Sequence, residues 1–167
     1  NQASGASRTF VVADQDGLVL GYYALAAGAV SHQIATSGVR RNMPDPVPVG
    51  VLGRLAIDKN FHGKGLGRAL FRDAALRVLA AADSIGIRGM LVHAISDEAK
   101  AFYVGLGLDV SPLEPMTLMA TVADLKASHG KRWSWTMPRR TAASVQLRVT
   151  RRFVWSDTTQ MSDLPRV

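Results

Sequence analysis

Apolar residues group into five short segments whose composition is typical of β-strands. The first two, at 9–13 and 18–27, flank the residues Asp14-Gln15-Asp16-Gly17, and Asp-Gly is a strong signal for a tight turn. They predict an antiparallel hairpin. The third, at 49–57, is a nearly continuous apolar run, as expected of a strand that is covered on both faces. The remaining two segments lie at 90–95 and 116–122.

Two further segments show the spacing of helices. After glycines at 63, 65 and 67, apolar residues recur every three or four positions, which predicts a helix that ends near Gly86 and Gly89. Its apolar face consists of Leu66, Leu70, Phe71, Ala74, Ala75, Val78 and Leu79. A short helix is expected at 97–104, with Ser96 as its N-cap and acidic Asp97 and Glu98 in its first turn. We interpret both acidic residues as complements of the helix dipole.

The order of these elements predicts an α/β domain with a mixed central sheet. Residues 28–48 lack periodicity and contain three prolines, at 44, 46 and 48, so we expect an exposed connection there. After the last strand we expect only a short segment to Gly130. We predict one domain at 1–129 and a basic extension at 130–167, which is poorly ordered except where Val145–Val149 could add an edge strand.

Composition and charge narrow the class of protein. The chain has 167 residues, 47% of them apolar, and no cysteine, which excludes disulfides, thiolate metal sites and a cysteine nucleophile. We expect no metal site, no membrane span, no signal peptide and a cytoplasmic location. The net charge of +7 is concentrated at the end, because residues 1–129 carry 12 basic and 11 acidic side chains. The body therefore does not have the charge of a nucleic-acid binder.

The sequence FHGKGLG at 61–67 is the sharpest chemical motif. Alternate glycines between a strand and a helix turn several backbone N–H groups into one concave surface at a helix N-terminus, which binds anions. The GxxxxGK[ST] pattern of P-loops is absent, and Arg68 and Leu70 break the GxGxxG dinucleotide pattern. The alternative is a glycine-rich turn without a ligand.

This motif resembles the core of GNAT-type N-acetyltransferases over Val51–Ala82. The family carries Arg/Gln-x-x-Gly-x-Gly/Ala after a strand, and Gly65 and Gly67 match it, whereas His62 replaces the usual Gln or Arg. The resemblance implies acetyl-CoA as cosubstrate and a mostly antiparallel GNAT sheet flanked by helices. It implies that the backbone of Leu55, Ala56 and Ile57 pairs with the pantetheine arm. The pyrophosphate would then lie against His62, Gly63, Lys64, Gly65, Leu66, Gly67 and Arg68.

More narrowly, the segments LGRLAID, HGKGLG and AKAFYVGLGL, followed by PMTL, resemble GNAT toxins of type II toxin–antitoxin systems over about residues 8–128. Those toxins acetylate the α-amino group of aminoacyl-tRNA, are often dimers and are silenced by an antitoxin with a ribbon-helix-helix DNA-binding part. The family normally has a strand and two helices before the hairpin. We expect this chain, which begins at Asn1, to be N-terminally incomplete.

The resemblance also suggests catalytic groups. Tyr103 lies on a helix that carries a tyrosine in the family, and a phenol of pKa about 10 stays protonated and can supply the proton that the departing thiolate needs. The alternative is an aromatic ring that only packs beside Phe102. No carboxylate or histidine is obviously placed as a base, which suits an α-amino substrate of pKa near 7.7–8.0. We interpret His93 as a core histidine.

Four arginines are candidates for contacts with the substrate. Arg54 interrupts an apolar strand and must find water, a carboxylate or a phosphate, so we assign it to the active-site cleft, where it could meet the tRNA 3′ end. A buried ion pair is its alternative. Arg40 and Arg41, like Arg8, could contact phosphates or could simply be solvated.

Two other functions remain open at this stage. One is a GNAT enzyme that acetylates a small amine or a protein N-terminus. The other is a non-catalytic module that binds RNA through the basic extension and keeps the acetyltransferase fold as a scaffold.

Overall fold

The computed structural model describes residues 7–130 and 148–150, which form a mixed α/β fold around one sheet. The seven strands are β1 (Arg8–Ala13), β2 (Val19–Val30), β3 (Val47–Ile57), β4 (Gly89–His93), β5 (Asp109–Val110), β6 (Thr117–Thr121) and β7 (Arg148–Thr150). The helices are α1 (Ser37–Arg40), α2 (Leu66–Ile85), α3 (Asp97–Gly105) and α4 (Val122–Gly130). The strand order is β5-β6-β4-β3-β2-β1-β7, and of these pairs β3–β4 alone is parallel. The predicted fold class is therefore confirmed.

The first two strands form the predicted hairpin. The Asp14 carboxylate accepts hydrogen bonds from the backbone N–H groups of Asp16, at 3.0 Å, and Leu18, at 2.9 Å. Gly17 has φ +87°, a left-handed conformation that costs glycine little. The side chain and the glycine together reverse the chain into β2.

The predicted irregular connection at 28–48 is wrong at both of its ends. β2 continues to Val30 and β3 already begins at Val47, with Pro48 paired opposite Ala29. The Pro48 carbonyl accepts the N–H of Arg88, the residue before β4, at 2.9 Å. The N–H and C=O of one strand residue point to the same side, so an N–H at position 48 would also point toward β4. It would lie beyond the first residue of β4, where the strand offers no partner. The ladder therefore loses no bond.

Helix α2 packs its predicted face against the sheet. The residues that it buries are Gly67, Leu70, Phe71, Ala74, Ala75, Val78 and Leu79. Gly86 ends the helix with φ +72°, and its N–H bonds the Ala82 carbonyl at 3.2 Å, as the glycine at this position predicts.

A polar cluster fastens α2 to β2. The Tyr23 side chain is fully buried, and its hydroxyl donates to the Asp73 carboxylate and accepts from Arg77 Nε at 2.8 Å. Arg77 also lies 3.0 Å from Asp73 and places its guanidinium 4.0 Å from the centroid of the Phe10 ring. Burial, followed by the bond to Asp73, raises the pKa of Tyr23. The Asp73–Arg77 pair is thus part of a three-residue network.

Helix α4 is an element that the sequence interpretation missed. The Thr121 hydroxyl accepts the Asp124 N–H at 3.1 Å, while the Asp124 carboxylate accepts the Thr121 N–H at 3.0 Å. This is a capping box, which two residues at this spacing can announce in a sequence. At α3, by contrast, Ser96 caps the Ala99 N–H at 3.1 Å, as predicted.

The last described strand comes from the predicted basic extension. β7 pairs with the outer edge of β1, with Val149 opposite Val12. It overlaps the predicted strand Val145–Val149, of which 145–147 lie outside the described residues. None of the helices in the described part of the chain has the length and apolarity needed to cross a membrane.

Candidate active site

A cleft opens where β3 and β4 separate. The two strands pair from Gly50–Met90 to Leu52–Val92, after which β4 ends at His93 while β3 continues to Ile57. Within the described residues, no strand covers this side of β3 beyond Leu52. The register against β2 shifts at the same place, so that Gly53 forms a bulge. The bulge and the separation together leave a wedge in the middle of the sheet.

Peptide groups of Leu55 and Ile57 face this cleft. The Asp58 N–H donates to the Leu20 carbonyl of β2 at 2.9 Å, and successive peptide groups of a strand alternate in direction. The Ala56 carbonyl points toward β2, because a Cβ added to Gly21 would lie 2.9 Å from its oxygen. Of the three backbone positions expected to pair with pantetheine, two are therefore open to the cleft and Ala56 is not.

The turn after β3 presents a row of free N–H groups. Gly63 and Gly65 have φ +71° and +81°, and α2 begins directly after Gly65. Within the described residues, no acceptor bonds the backbone N–H groups of 63–67, whereas those of Phe61 and His62 bond Asp58 and Lys59 carbonyls. Five neighbouring amides without acceptors at a helix N-terminus are the arrangement that the glycine spacing predicts, and such an arrangement can accept an anion.

The charges around the turn favour an anion. The first turn of α2 contains no acidic residue, and the Arg68 side chain there is exposed. Lys64 is also exposed, and its ammonium lies 4.9 Å from the centroid of the Phe61 ring. Lys59 adds a third cation in the short 3-10 turn before them.

His62 ties this turn to the end of β3. Its Nε2 lies 3.2 Å from the Ile57 carbonyl oxygen, and because a carbonyl only accepts, Nε2 carries the proton. The residue that departs from the family motif therefore positions the turn through a backbone contact.

Gly67 sets the distance between α2 and β3. A Cβ at this position would lie 2.9 Å from Ile57 Cδ1 and 3.4 Å from the Phe102 ring. The absence of a side chain lets the first turn of α2 rest directly on the end of β3, so the free amides and the cleft adjoin each other.

Tyr103 lies on α3 and packs against α2. Its ring contacts Phe102 and Phe71, with centroids 5.2 and 6.2 Å apart, and the residue is 4% exposed. Burial raises the pKa of Tyr103 to about 12. No described residue hydrogen-bonds its hydroxyl, and the oxygen is not completely buried. Tyr103 thus combines a packed ring with a hydroxyl that keeps its proton at neutral pH.

Arg54 lies on the opposite face of the sheet from Tyr103. Leu55 and Ile57 join the core under α2 with Tyr103, whereas Ala56 packs with Tyr22 on the other face. By alternation Arg54 shares the face of Ala56. Its side chain is exposed and makes no ion pair within the described residues, so the alternative of a buried ion pair is wrong.

The other arginines divide between the two faces. Arg40 and Arg41 are exposed beside α1, which packs through Val39 on the face of Arg54, and Arg40 Nη1 donates to the His32 carbonyl at 3.2 Å. Arg8 lies on the α2 face, at an apolar groove beside Arg77. The structure therefore separates Arg8 from the other candidates.

The interpretation of His93 as a core residue is wrong. His93 is the exposed last residue of β4, and its Nδ1 lies 2.9 Å from Thr117 Oγ1. The Thr117 hydroxyl donates to Glu114 Oε2 at 2.7 Å. A polar residue at the carboxyl end of an inner strand was the available signal, because open α/β sheets bind ligands there.

Comparisons with known proteins identify the family to which this fold belongs. The family model described as Acetyltransferase (GNAT) domain matches residues 6–107. The tRNA-acetylating toxin of Mycobacterium tuberculosis is 53% identical over 130 residues, which cover 78% of this chain and 78% of that protein.

Two solved structures have the same fold. The structure of AtaT complexed with acetyl-methionyl-tRNAfMet is 26% identical with a TM-score of 0.69, covering 75% of this chain and 77% of the other. A tyrosine-to-phenylalanine mutant of the AtaT toxin, bound to the C-terminus of the antitoxin AtaR and acetyl-CoA, is 25% identical with a TM-score of 0.62, covering 75% and 74%. With the family model matching more than half of the sequence, the chain belongs to the GNAT family of acetyltransferases.

Proposed function

We propose that this chain is an acetyl-CoA-dependent N-acetyltransferase toxin that acetylates the α-amino group of aminoacyl-tRNA and thereby blocks translation. The observation that carries the proposal is the 53% identity to a tRNA-acetylating toxin over 130 residues. The free amides, the cleft and Tyr103 are the proposed site for the acetyl donor. The related protein AtaT has been solved in complex with acetyl-methionyl-tRNAfMet, which is an acetylated aminoacyl-tRNA.

Acetyl-CoA is the cosubstrate, and the turn at 61–68 is its anchor. The five free N–H groups of 63–67 receive the pyrophosphate oxygens, with Lys64 and Arg68 beside them. The peptide group of Leu55 and the N–H of Ile57 are available to the pantetheine arm, whereas the Ile57 carbonyl already accepts from His62 Nε2. The Ile57 N–H faces the cleft and is the candidate donor to the thioester carbonyl, a role that can contribute ~3–4 kcal/mol.

Tyr103 is the proposed general acid. With a pKa of about 12 its hydroxyl remains protonated at neutral pH, so a hydrogen-bond donor is present for the sulfur as negative charge develops on it. The hydroxyl makes no competing bond within the described residues. In this proposal it supplies its proton to the sulfur as the carbon–sulfur bond breaks.

The acceptor is proposed to approach from the face that carries Arg54. The Arg54 guanidinium is exposed and makes no ion pair within the described part of the chain, and such a group can bind a phosphate of the tRNA 3′ end in two parallel hydrogen bonds. Arg40 and Arg41 extend the positive charge on the same face. The ordinary pKa of an α-amino group is near 7.7–8.0 and falls further when its carboxyl is an ester, so a substantial fraction of the aminoacyl amine is neutral and can act as the nucleophile.

We further propose a cytoplasmic homodimer that is silenced by a ribbon-helix-helix antitoxin. AtaT bound to part of AtaR is the related example of a toxin with its antitoxin. Cytoplasmic action follows from the proposed substrate, because charged tRNA is used there. We retain 1–129 as the acetyltransferase domain and 130–167 as an extension.

A transfer assay distinguishes the three functions. The full chain is incubated with labelled acetyl-CoA, total aminoacyl-tRNA and, separately, small amines and peptides. Label on aminoacyl-tRNA supports the toxin, label only on small amines or peptide N-termini supports a different GNAT enzyme, and RNA binding without transfer supports the non-catalytic module. For that module, deletion of 131–167 would remove RNA affinity together with its salt dependence.

A further inference from the structure

The tautomer of the neutral His93 ring is fixed by its neighbours. Thr117 has one hydroxyl proton, and this proton is donated to Glu114 Oε2 at 2.7 Å. The Thr117 oxygen can therefore only accept from His93 Nδ1, which lies 2.9 Å away. In the neutral ring Nδ1 then carries the proton, and Nε2 keeps its lone pair.

His93 lies at the mouth of the cleft. His93 follows Val92, the last residue of β4 that pairs with β3, so it stands where the two strands separate. His93 is two residues after Leu91 on the same strand, so both side chains lie on one face of the sheet. The cluster that contains Leu91 lies on the face of Arg54. The side chain is exposed, and no described residue bonds Nε2. His93 and Tyr103 thus lie on opposite faces of the sheet.

We propose that His93 is the catalytic base of the acceptor side, and that Thr117 and Glu114 are its positioning residues. This inference rests on the proposed function. The amine lone pair forms the nitrogen–carbon bond to the thioester carbonyl, and one N–H proton passes to His93 Nε2. The carbon–sulfur bond then breaks, and the sulfur takes the proton of Tyr103. Exchange with water restores the two side chains.

Even an amine that attacks in its neutral form needs a group that accepts its proton. The attacking nitrogen becomes positively charged as the new bond forms, and it must lose a proton before the tetrahedral intermediate can collapse to the amide. The charged side chains on the elements that adjoin His93 are Arg54 on β3, Glu114 before β6, and Asp97, Glu98 and Lys100 on α3. Thr117 connects Glu114 directly to the ring.

The test compares the full chain with its His93→Gln variant. We expect kcat for the acetylation of aminoacyl-tRNA to fall about 100-fold, within the usual contribution of a general base, while Kd for acetyl-CoA stays unchanged. At low pH, log kcat/KM of the parent should rise with slope two, for His93 and for the amine. The variant should retain slope one. Imidazole should restore activity to a His93→Ala variant.

Thr117→Val separates positioning from chemistry. It removes the hydroxyl but leaves His93, so kcat should fall about tenfold with the slope of two retained. A His93→Gln variant whose rate and slope equal those of the parent would overturn the inference while leaving the proposed function standing. Absence of transfer to aminoacyl-tRNA by the parent would instead reject the proposed substrate, and the same comparison of variants on whichever amine is acetylated would still decide the role of His93.

Discussion

Two buried tyrosines have different roles, which single substitutions can distinguish. The Tyr23 hydroxyl is hydrogen-bonded to Asp73 and Arg77, whereas the Tyr103 hydroxyl has no such partner within the described residues. Replacing each by phenylalanine removes one oxygen and keeps the ring. The pair is therefore a matched test of chemistry against stability.

Tyr103→Phe should abolish toxicity and lower kcat by roughly 100-fold or more, because the departing thiolate loses its proton donor. Binding of acetyl-CoA should remain, since the turn at 63–67 is untouched. Stopped-time transfer assays and calorimetry measure the two quantities. Retained toxicity would reject the assigned role.

Tyr23→Phe should show the reverse behaviour. It leaves Asp73 and Arg77 with one partner fewer at a buried position, so the free energy of unfolding should fall by about 1–3 kcal/mol. The transfer rate of the folded enzyme should not change. Urea denaturation measures the loss, and equal stability of variant and parent would show that the network contributes nothing.

Tyr103 also predicts a dependence of stability on pH. Its pKa of about 12 in the folded chain exceeds the ordinary 10.0, so the folded chain holds a proton that the unfolded chain loses in this interval. The free energy of unfolding should therefore fall as pH rises above 10 toward 12. Tyr103→Phe should flatten this decline in denaturation series, and identical slopes would contradict it.

The exposure of His93 could not be predicted from the local sequence pattern. His93 lies at the end of an apolar strand, and the local pattern does not say whether the last residue is covered. Its exposure depends on the length of β3 and on the turn at Glu114, which are far apart in sequence. The tautomer depends on both.

At the scale of elements, the short linker between β3 and α2 carries the proposed donor site. The alternate glycines and the apolar helix face were sufficient to predict the turn and the helix after it, because both signals are local. The extents of β2 and β3 were not predictable in this way, since Pro48 is tolerated only because β4 starts after it. Helix α4 had a local signal, the Thr121–Asp124 capping box, that the sequence interpretation did not use.

Gly65→Ala tests the linker. A Cβ at φ +81° costs about 1–2 kcal/mol and distorts the turn, so affinity for acetyl-CoA should fall at least tenfold. Gly105→Ala is the control, because this helical glycine has open space around it and should gain up to about 1 kcal/mol of stability. Equal acetyl-CoA affinities in the two variants, measured by calorimetry, would argue against the site.

At the scale of the whole molecule, the residues proposed for the donor and for the acceptor lie on opposite faces of the sheet. The cleft passes between β3 and β4, with Tyr103 and α2 on one face and Arg54, His93 and α1 on the other. This division depends on the bulge at Gly53, which changes the alternation along β3. An apolar pattern alone could not reveal it.

Arg54→Ala should therefore raise KM for aminoacyl-tRNA by roughly 10-fold and reduce its salt dependence, with Kd for acetyl-CoA unchanged. Arg8→Ala is the matched control, an exposed arginine on the opposite face. Steady-state kinetics at two salt concentrations measure both variants. Equal effects of the two substitutions would indicate general charge attraction in place of a defined acceptor face.

The central claim is that the amides between β3 and α2 bind the diphosphate of coenzyme A, and nuclear magnetic resonance tests it atom by atom. In a titration of the ¹⁵N-labelled full chain with acetyl-CoA, we expect the largest amide shifts at residues 63–67, accompanied by Leu55 and Ile57, with Arg8 unmoved. Saturation by acetyl-CoA without any shift at 63–67 would contradict the account.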